Sequence, residues 1–219
     1  MSDFLNKITA SLIGDKCETT IEHLEADYQM GLRYLNGDGV EQNITQAIDY
    51  LFAAAVQGFA EAQYTMGRCY AEGVGVDSCM NGALRWYLAA ARNGHTIAQY
   101  EVGNCLFRGI GAEQDAERAV GYYLLSAEKG YDLAEVAVGQ CYASGEGITK
   151  DDKRAFEWFL KAAAQGHSDY AMFIVGSCYE QGKGVERDID SAREWYSRAA
   201  KDGYEDAINA LHDLEGLLV

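Results

Sequence analysis

Four cysteines of this chain are spaced one period apart, and regularly spaced cysteines could bind zinc or form disulfide bonds. They are Cys69, Cys105, Cys141 and Cys178. If they occupy equivalent positions on stacked helices, neighbours lie about 8–10 Å apart, beyond the roughly 4.4–6.8 Å that separates the Cα atoms of a disulfide. The C-x-x-C spacing of zinc sites is also missing. We therefore predict four small buried thiols and no metal site. Cys17 and Cys79 stand outside the pattern, and no role is assigned to them.

A short serine motif and two histidines are the other candidates for chemistry. Ser126 and Lys129 match the S-x-x-K motif of acylating serine enzymes, but the companion S-D-N and K-T-G motifs are missing. Ser126 also stands where most copies of the repeat described below have alanine, which predicts a buried side chain. His95 and His167 lie two copies apart, too far to hold one metal ion. The sequence thus predicts no catalytic residue, no cofactor and no metal ligand.

The chain repeats itself with a period of 36 or 37 residues. Copies open at Ala26, Ala62, Ala98, Ala134 and Ala171, and Ala207 opens a fragment. Such a period is typical of stacked-repeat proteins, in which each unit covers the apolar face of its neighbour. We predict a capping helical segment at 1–25, five repeats at 26–61, 62–97, 98–133, 134–170 and 171–206, and a capping helix at 207–219. In the first segment an apolar helical face is formed by Phe4, Leu5, Ile8 and Leu12.

Each copy predicts two helices, here called helix A and helix B, with positions counted from the opening alanine as zero. Positions 0, 1, 4, 5 and 8 share one face of helix A, which we expect to be buried. Position 5 is always glycine, which predicts a close approach of helix B. Glycines at positions 11 and 13 predict the end of helix A and the turn. Asparagine or aspartate at position 17 predicts the N-cap of helix B, except in the second copy, which has Cys79.

Helix B combines small and large side chains at helical spacing. Positions 21 and 28 are small, and position 24 is aromatic, which predicts that these residues interlock the two helices. The aromatic residues are Tyr50, Trp86, Tyr122, Trp158 and Trp195. The fourth copy has one extra residue near Tyr170, which predicts either a longer turn or a local helical bulge.

This combination of residues resembles the Sel1-like repeat, a relative of the tetratricopeptide repeat. The signature A-x-x-x-[LMV]-G-x-x-Y, then G-x-G, then A-x-x-[WY] and A-A-x-x-G recurs over about residues 26–206. The resemblance implies an all-α fold, a right-handed α/α superhelix (solenoid) of antiparallel helical hairpins. It also implies the usual role of the family, a protein-binding adaptor and not an enzyme.

In tetratricopeptide relatives, the face of helix A opposite the buried one lines a concave groove. The matching positions 2, 6, 9 and 10 carry aromatic residues, arginine and amides, which are common at protein interfaces. The predicted partner-binding residues are Tyr28, Tyr64, Arg68, Glu72, Tyr100, Asn104, Phe107, Arg108, Gln140, Phe173 and Gln181. The tyrosines at position 2 could instead pack at the edge of the core, and the sequence leaves both alternatives open.

The net charge of −16, from 18 basic and 34 acidic residues, argues against a nucleic acid or an anionic membrane as partner. A basic protein or peptide would gain electrostatic steering, whereas a simply soluble acidic protein would have no such partner. No apolar run reaches the roughly 18 residues of a spanning helix, and the N-terminus lacks the pattern of a secretory signal. We expect a cytoplasmic protein, with a periplasmic or secreted location left open for a trimmed form.

Three functions remain as hypotheses. The leading one is a non-catalytic adaptor or regulator that binds a protein segment on the concave face. A narrower one is an immunity-type inhibitor that neutralises a basic enzyme or toxin. The third is a β-lactamase-like hydrolase that uses Ser126. The apolar C-terminal residues predict a monomer or a weak homodimer through that end; they are Leu214, Leu217, Leu218 and Val219.

Overall fold

The computed structural model describes residues 21–216, with side chains up to residue 214. These residues form helices and turns only, as predicted. Helix α1 covers residues 21–36. The others are α2 (Ile44–Val56), α3 (Ala60–Glu72), α4 (Met80–Arg92), α5 (Thr96–Arg108), α6 (Ala116–Ala127), α7 (Asp132–Ser144), α8 (Asp152–Ala164), α9 (Asp169–Gln181), α10 (Ile189–Ala200) and α11 (Glu205–Gly216). The predicted helical face of Phe4, Leu5, Ile8 and Leu12 lies outside the described residues. Within residues 21–216, no helix has the length and apolar character that crossing a membrane requires.

The chain divides into two compact units. Of the described residues, the first contains 21–98 and 110–112, and in it α3 packs against both α2 and α4. The second contains residues 99–109 and 113–216. There α7 pairs with α8 and α9 pairs with α10, while α6 contacts α7, α8 contacts α9, and α10 contacts α11. In both units the odd-numbered helices are helix A and the even-numbered ones helix B, so the predicted all-α architecture of helical hairpins is confirmed.

The turns follow the glycines and caps of the sequence. Gly73 ends α3 in the left-handed conformation with φ 76°, and its N–H donates to the Cys69 carbonyl. Helix B begins at a side-chain cap in four copies, because the side chain at position 17 accepts a hydrogen bond from the backbone of the first turn. These caps are Asn43, Asp115, Asp151 and Asp188. Cys79 makes no such bond, so the predicted weak cap is confirmed.

A glycine at position 5 lies against a large side chain of helix B in every hairpin. A Cβ atom at Gly176 would come within 2.7 Å of the Tyr196 ring, and one at Gly139 within 2.8 Å of Phe159. The predicted close approach of the helices is therefore confirmed, but the residue that fills it stands at position 25. The residues at this position are Leu51, Tyr87, Tyr123, Phe159 and Tyr196. All five are buried.

The prediction for helix B is confirmed at positions 21 and 28, whose small side chains are buried in every copy, but it holds only in part at position 24. Tyr50 stacks on Tyr34 of helix A with ring centres 5.8 Å apart, yet the residues at position 24 are less buried than those at position 25. Tyr50 is 36% exposed, and the other aromatic residues at position 24 are half-buried. Trp158 and Trp195 lie under cations of their own helices, with Lys161 Nζ 4.7 Å and Arg198 Cζ 4.1 Å from the ring centres. One residue corresponds to 100° around a helix, so the neighbouring position turns its side chain fully towards helix A.

The last two copies clarify two further predictions. The extra residue of the fourth copy lengthens the turn, and Ser168 caps α9 by accepting from the Ala171 N–H at 3.1 Å. In α11, Leu214 is only 3% exposed, so it does not contribute to an apolar end as predicted. Leu217, Leu218 and Val219 lie outside the described residues. His212, which replaces the glycine of position 5, is exposed.

The four cysteines at position 7 are free and buried, as predicted. Burial raises the pKa of the Cys105 and Cys141 thiols to about 11, and burial also raises the pKa of Cys69 and Cys178. Cys79 is exposed. Among residues 21–214, no group of three or more histidine, cysteine, aspartate or glutamate side chains is placed to hold a metal ion.

A better cap should stabilise the second hairpin. The backbone of Cys79 (φ −151°, ψ 104°) matches that of the capping residue Asp151 (φ −152°, ψ 98°). We expect Cys79→Asp to raise the free energy of unfolding by about 1 kcal/mol, because a side-chain acceptor would satisfy a first-turn N–H. Denaturant unfolding followed by circular dichroism measures the change. The mirror variant Asn43→Ala should lose a similar amount, and an unchanged midpoint for both would contradict this account of capping.

The glycine contact can be tested with a matched pair of substitutions. Gly176→Ala should destabilise the protein by about 1–3 kcal/mol, because the new methyl group meets both the Tyr196 ring and the Ala192 carbonyl oxygen. Gly121 lies within α6, and a Cβ atom added there would have nothing within 4 Å. Gly121→Ala should therefore stabilise by about 0.5–1 kcal/mol through helix propensity. Thermal unfolding measures the change in stability of both variants. Changes of equal size and the same sign would contradict the proposed contact between Gly176 and Tyr196.

Thiol accessibility gives a third test. Alkylation of the native protein with iodoacetamide at pH 8 should modify Cys79 at least about a hundredfold faster than Cys105 or Cys141. With a pKa of about 11, only about one in a thousand of these buried thiols is ionised at that pH. Peptide mass spectrometry follows each site, and unfolding in denaturant should equalise the rates. Rapid native labelling of Cys141 would show that its side chain is accessible.

Candidate functional site on the A-helix face

The A-helix face is defined here as the surface formed by positions 2, 6, 9 and 10 of each helix A. In the first unit it includes Tyr28 and Tyr64, whose side chains are half-buried. The Tyr28 ring centre lies 5.4 Å from that of Phe59. Tyr64 stacks on His95 at 4.4 Å and also meets Tyr87 at 5.9 Å. These tyrosines therefore pack at the edge of the core, which answers the question that the sequence left open.

The second unit repeats this arrangement. Tyr100 lies 5.3 Å from Tyr131 and 5.8 Å from Tyr123 between ring centres. Phe173 lies 5.6 Å from Tyr204 and 5.5 Å from Tyr196. The ring at position 2 is thus held between the rings at positions 25 and 33, and only part of it remains available to a partner.

The predicted polar residues of α3 are exposed and paired with each other. Arg68 donates from Nε and Nη2 to Glu72 Oε1 at 3.2 and 3.1 Å. The hydrogen bond to Glu72 raises the pKa of Arg68. Because both side chains are about half exposed, this pair of residues one helical turn apart contributes little to stability. It presents a fixed, locally neutral polar group on the face of the first unit.

In the second unit, two tyrosine hydroxyls of helix B reach the A-helix face from the side of the core. Tyr123 donates to Asn104 Oδ1 at 2.9 Å, and Tyr196 donates to Glu180 Oε2 at 2.6 Å. Burial raises the pKa of both phenols. These bonds satisfy the hydroxyls at the core edge and fix the side chains of Asn104 and Glu180 on the surface.

The fourth copy lacks this hydroxyl because position 25 is Phe159. A pocket of about 360 Å³ opens here between α7 and α9, with Ala155 and Phe159 of α8 among its lining residues. We call it the larger pocket. Its polar lining residues are Gln140, Ser144, Asp152, Tyr170, Ser177, Gln181 and Lys183. Gln140 Nε2 donates to Tyr170 Oη at 3.1 Å across the pocket, and Gln181 Nε2 donates to Ser177 Oγ at 2.9 Å.

A second pocket lies on the other side of α7. This smaller pocket, of about 190 Å³, is lined by Phe107, Tyr123, Ala137, Gln140, Cys141, Ser144 and Glu146. Gln140 and Ser144 belong to both pockets. The two pockets are therefore adjacent, and α7 forms the ridge between them.

The structure brings only some of the predicted partner-binding residues together. Gln140 and Gln181 line the larger pocket, and Phe107 joins Gln140 at the smaller one. Arg108 is exposed on α5 without lining either pocket. Sequence reasoning missed Phe159, Tyr170, Asp152, Ile174 and Glu146. The signal for Phe159 was present, because position 25 is tyrosine in three of the five copies and phenylalanine in one.

The candidate nucleophile is inaccessible. Ser126 has 0% of its surface exposed, so an acylating substrate could not reach its hydroxyl in the folded protein. Among the histidines, His95 Nδ1 accepts from the Ala98 N–H at 3.1 Å and supports the start of α5. His167 is exposed in the turn before α9.

Comparison with known proteins gives matches along most of the chain. The model of the Sel1 repeat matches residues 24–59, 60–95, 96–131, 132–167 and 169–204. Each segment begins two residues before a predicted copy, and the skipped residue 168 falls at the longer turn of the fourth copy. A comparison with curated proteins finds no match.

Solved structures agree with the family match. A protective antigen of uropathogenic Escherichia coli, c5321, which displays an SLR fold, is 30% identical with a TM-score of 0.85 over 90% of this chain. This chain spans 43% of that protein. A Sel1 repeat protein from Oxalobacter formigenes is 33% identical, with a TM-score of 0.81 over 85% of this chain and 76% of the other. The immunity protein Pa5087 from Pseudomonas aeruginosa, at 19% identity and a TM-score of 0.50 over 84% of this chain and 68% of its own, shares the fold alone.

Sel1 repeat proteins generally mediate protein–protein interactions and are generally non-catalytic scaffolds. Because five repeat matches cover most of its length and two structures at 30% identity or more share its hairpins, the chain belongs to the Sel1 repeat family.

Proposed function

We propose that this chain is a non-catalytic adaptor that binds a segment of another protein on the A-helix face of its second unit. The observation that supports the proposal is the larger pocket, an opening on the A-helix face with the aromatic ring of Phe159 in its floor. The inaccessible Ser126 hydroxyl removes the candidate for the hydrolase alternative.

The side chains around the larger pocket suit a polypeptide ligand. Gln140 and Gln181 each carry an amide that can donate and accept, as backbone amides of an extended segment require. They lie beside the floor of Ala155 and Phe159. A volume of about 360 Å³ is at the low end for small-molecule sites. Protein interfaces usually combine an apolar centre with a polar rim, and the larger pocket has both.

The charge of the chain supports a basic partner. A net charge of −16 would accelerate encounter with a positively charged segment and would make the association sensitive to salt. An inhibitor of a basic enzyme or toxin would use the same chemistry, and the identity of the captured partner would distinguish it from an adaptor.

The test compares two triple variants in affinity capture from the native extract. The site variant is Gln140→Ala, Ser177→Ala and Gln181→Ala. The control is Lys153→Ala, Glu194→Ala and Ser197→Ala, three exposed residues of α8 and α10, and it leaves the net charge unchanged. We expect the site variant to lose about ten- to a hundredfold in affinity for the captured protein, because each lost hydrogen bond costs about 0.5–1.5 kcal/mol.

Quantitative mass spectrometry identifies the captured protein, and titration calorimetry with the purified partner measures the affinity. Wild type and control should bind alike, and a roughly tenfold rise in NaCl should weaken both. Equal retention of the partner by the site and control variants would move the interface elsewhere. Unchanged helicity of both triple variants shows that folding is intact.

A further inference from the structure

The two pockets differ in what they can accept, and the difference starts at position 25. In the third and fifth copies, the hydroxyls of Tyr123 and Tyr196 occupy the level of the A-helix face and bond to Asn104 and Glu180. Phe159 ends in a ring carbon, so the corresponding space in the fourth copy remains open as the larger pocket. The groove beside Tyr123 accordingly has a volume of about 190 Å³, whereas the groove beside Phe159, which lacks the hydroxyl, has about 360 Å³.

The exposed surface inside the larger pocket is mainly apolar, although the ion pair of Asp152 and Lys183 also lines it. Ala143, Ala155, Phe159 and Ile174 line it together with the glutamine and serine side chains of the rim. The opening is large enough for one leucine, methionine or aromatic side chain, and a buried side chain of that size is what most often dominates the affinity of an interface. A polar group that entered between these apolar side chains would lose its hydrogen bonds to water, and the apolar side chains could not replace them.

The smaller pocket has a different character because Glu146 forms one of its walls. No lysine or arginine nitrogen of residues 21–214 lies within 4.0 Å of its carboxylate. Glu101 and Arg108 are also close enough to influence the Tyr123 and Cys105 side chains nearby. Besides the larger effect of burial, the charge of Glu101 raises the pKa of both groups, and the charge of Arg108 lowers it. Glu146 and Glu101 carry two negative charges and Arg108 carries one positive charge, so the net charge around the smaller pocket is negative. The rings of Phe107 and Tyr123, 6.2 Å apart, offer a surface for the stem of a long basic side chain.

We propose that the bound segment places one large apolar side chain in the larger pocket and one lysine or arginine in the smaller pocket beside Glu146. This inference rests on the proposed function and specifies its ligand. Neighbouring grooves on either side of a helix are about 8–10 Å apart. An extended chain advances roughly 3.3 Å per residue, so the two side chains are about three residues apart in the partner.

The experiment uses random peptides of about 12 residues displayed on phage and selected on the full chain. Enriched peptides should share an apolar and a basic residue at one fixed spacing. Their affinities are then measured with synthetic peptides by fluorescence anisotropy. Phe159→Tyr should weaken binding at least about tenfold, because its hydroxyl would occupy the larger pocket. Glu146→Gln should weaken it about three- to tenfold and remove the preference for a basic residue.

Controls separate blocking from misfolding. Phe156→Tyr is the same change on the same helix, but Phe156 packs edge-on against Tyr179 at 5.3 Å and does not line the larger pocket. It should leave peptide affinity unchanged. Ala143→Leu is an independent block, because Ala143 is a half-exposed lining residue and leucine is a good helix former. Both blocking variants should keep the wild-type circular dichroism spectrum.

The outcomes distinguish this inference from the proposed function. Peptides that lose affinity in the Gln140, Ser177 and Gln181 variant but bind Phe159→Tyr and Ala143→Leu normally would overturn the apolar pocket and leave the proposed function standing. Peptides that bind Glu146→Gln as well as wild type would overturn the basic contact. No enrichment in the selection, together with no partner in affinity capture, would count against both.

Discussion

The contact between a glycine of helix A and the side chain at position 25 of helix B determines the rest of each hairpin. Without a Cβ atom at position 5, the two helices approach until the ring or leucine lies directly over the glycine backbone. That approach fixes the direction of the ring. In Tyr123 and Tyr196 it points the hydroxyl towards the A-helix face, so a packing requirement of the core also decides which polar groups stand on the surface.

Buried polar side chains at position 1 connect consecutive copies. Gln63 donates to the Ala55 carbonyl at 2.9 Å and accepts from Asn93 at 2.8 Å. In the second unit Glu135, with 0% of its surface exposed, accepts from Gln165 at 2.7 Å and pairs with Lys161 at 3.0 Å. Asn93 and Gln165 each also donate to the carbonyl of the glycine that closes the preceding copy. Because a buried carboxylate without its cation is costly, these bonds favour one register of stacking over sliding.

Features set by backbone geometry could be predicted from the sequence, whereas features set by neighbouring side chains could not. Left-handed glycines such as Gly73 and caps such as Asp151 have local causes, so their residue types are sufficient. Sequence reasoning missed position 25 because Trp158 and Phe159 are consecutive aromatic residues, and only the exact orientation of α8 decides which of them faces helix A. Tyr64 could not be assigned because its burial depends on His95, a residue 31 positions later. The larger pocket depends on the absence of one oxygen atom in Phe159. A repeat pattern draws attention to the residues that all copies share and not to a departure in a single copy.

His212 at position 5 of α11 has a consequence for the length of the array. In the five hairpins, even one methyl group at this position would overlap the residue at position 25, and an imidazole is much larger. A second helix packed against α11 along the line used by α4, α8 and α10 would meet this imidazole where the five hairpins have only a hydrogen atom. The side chain of His212 therefore disfavours a further hairpin with the same close approach of its helices at this end of the array.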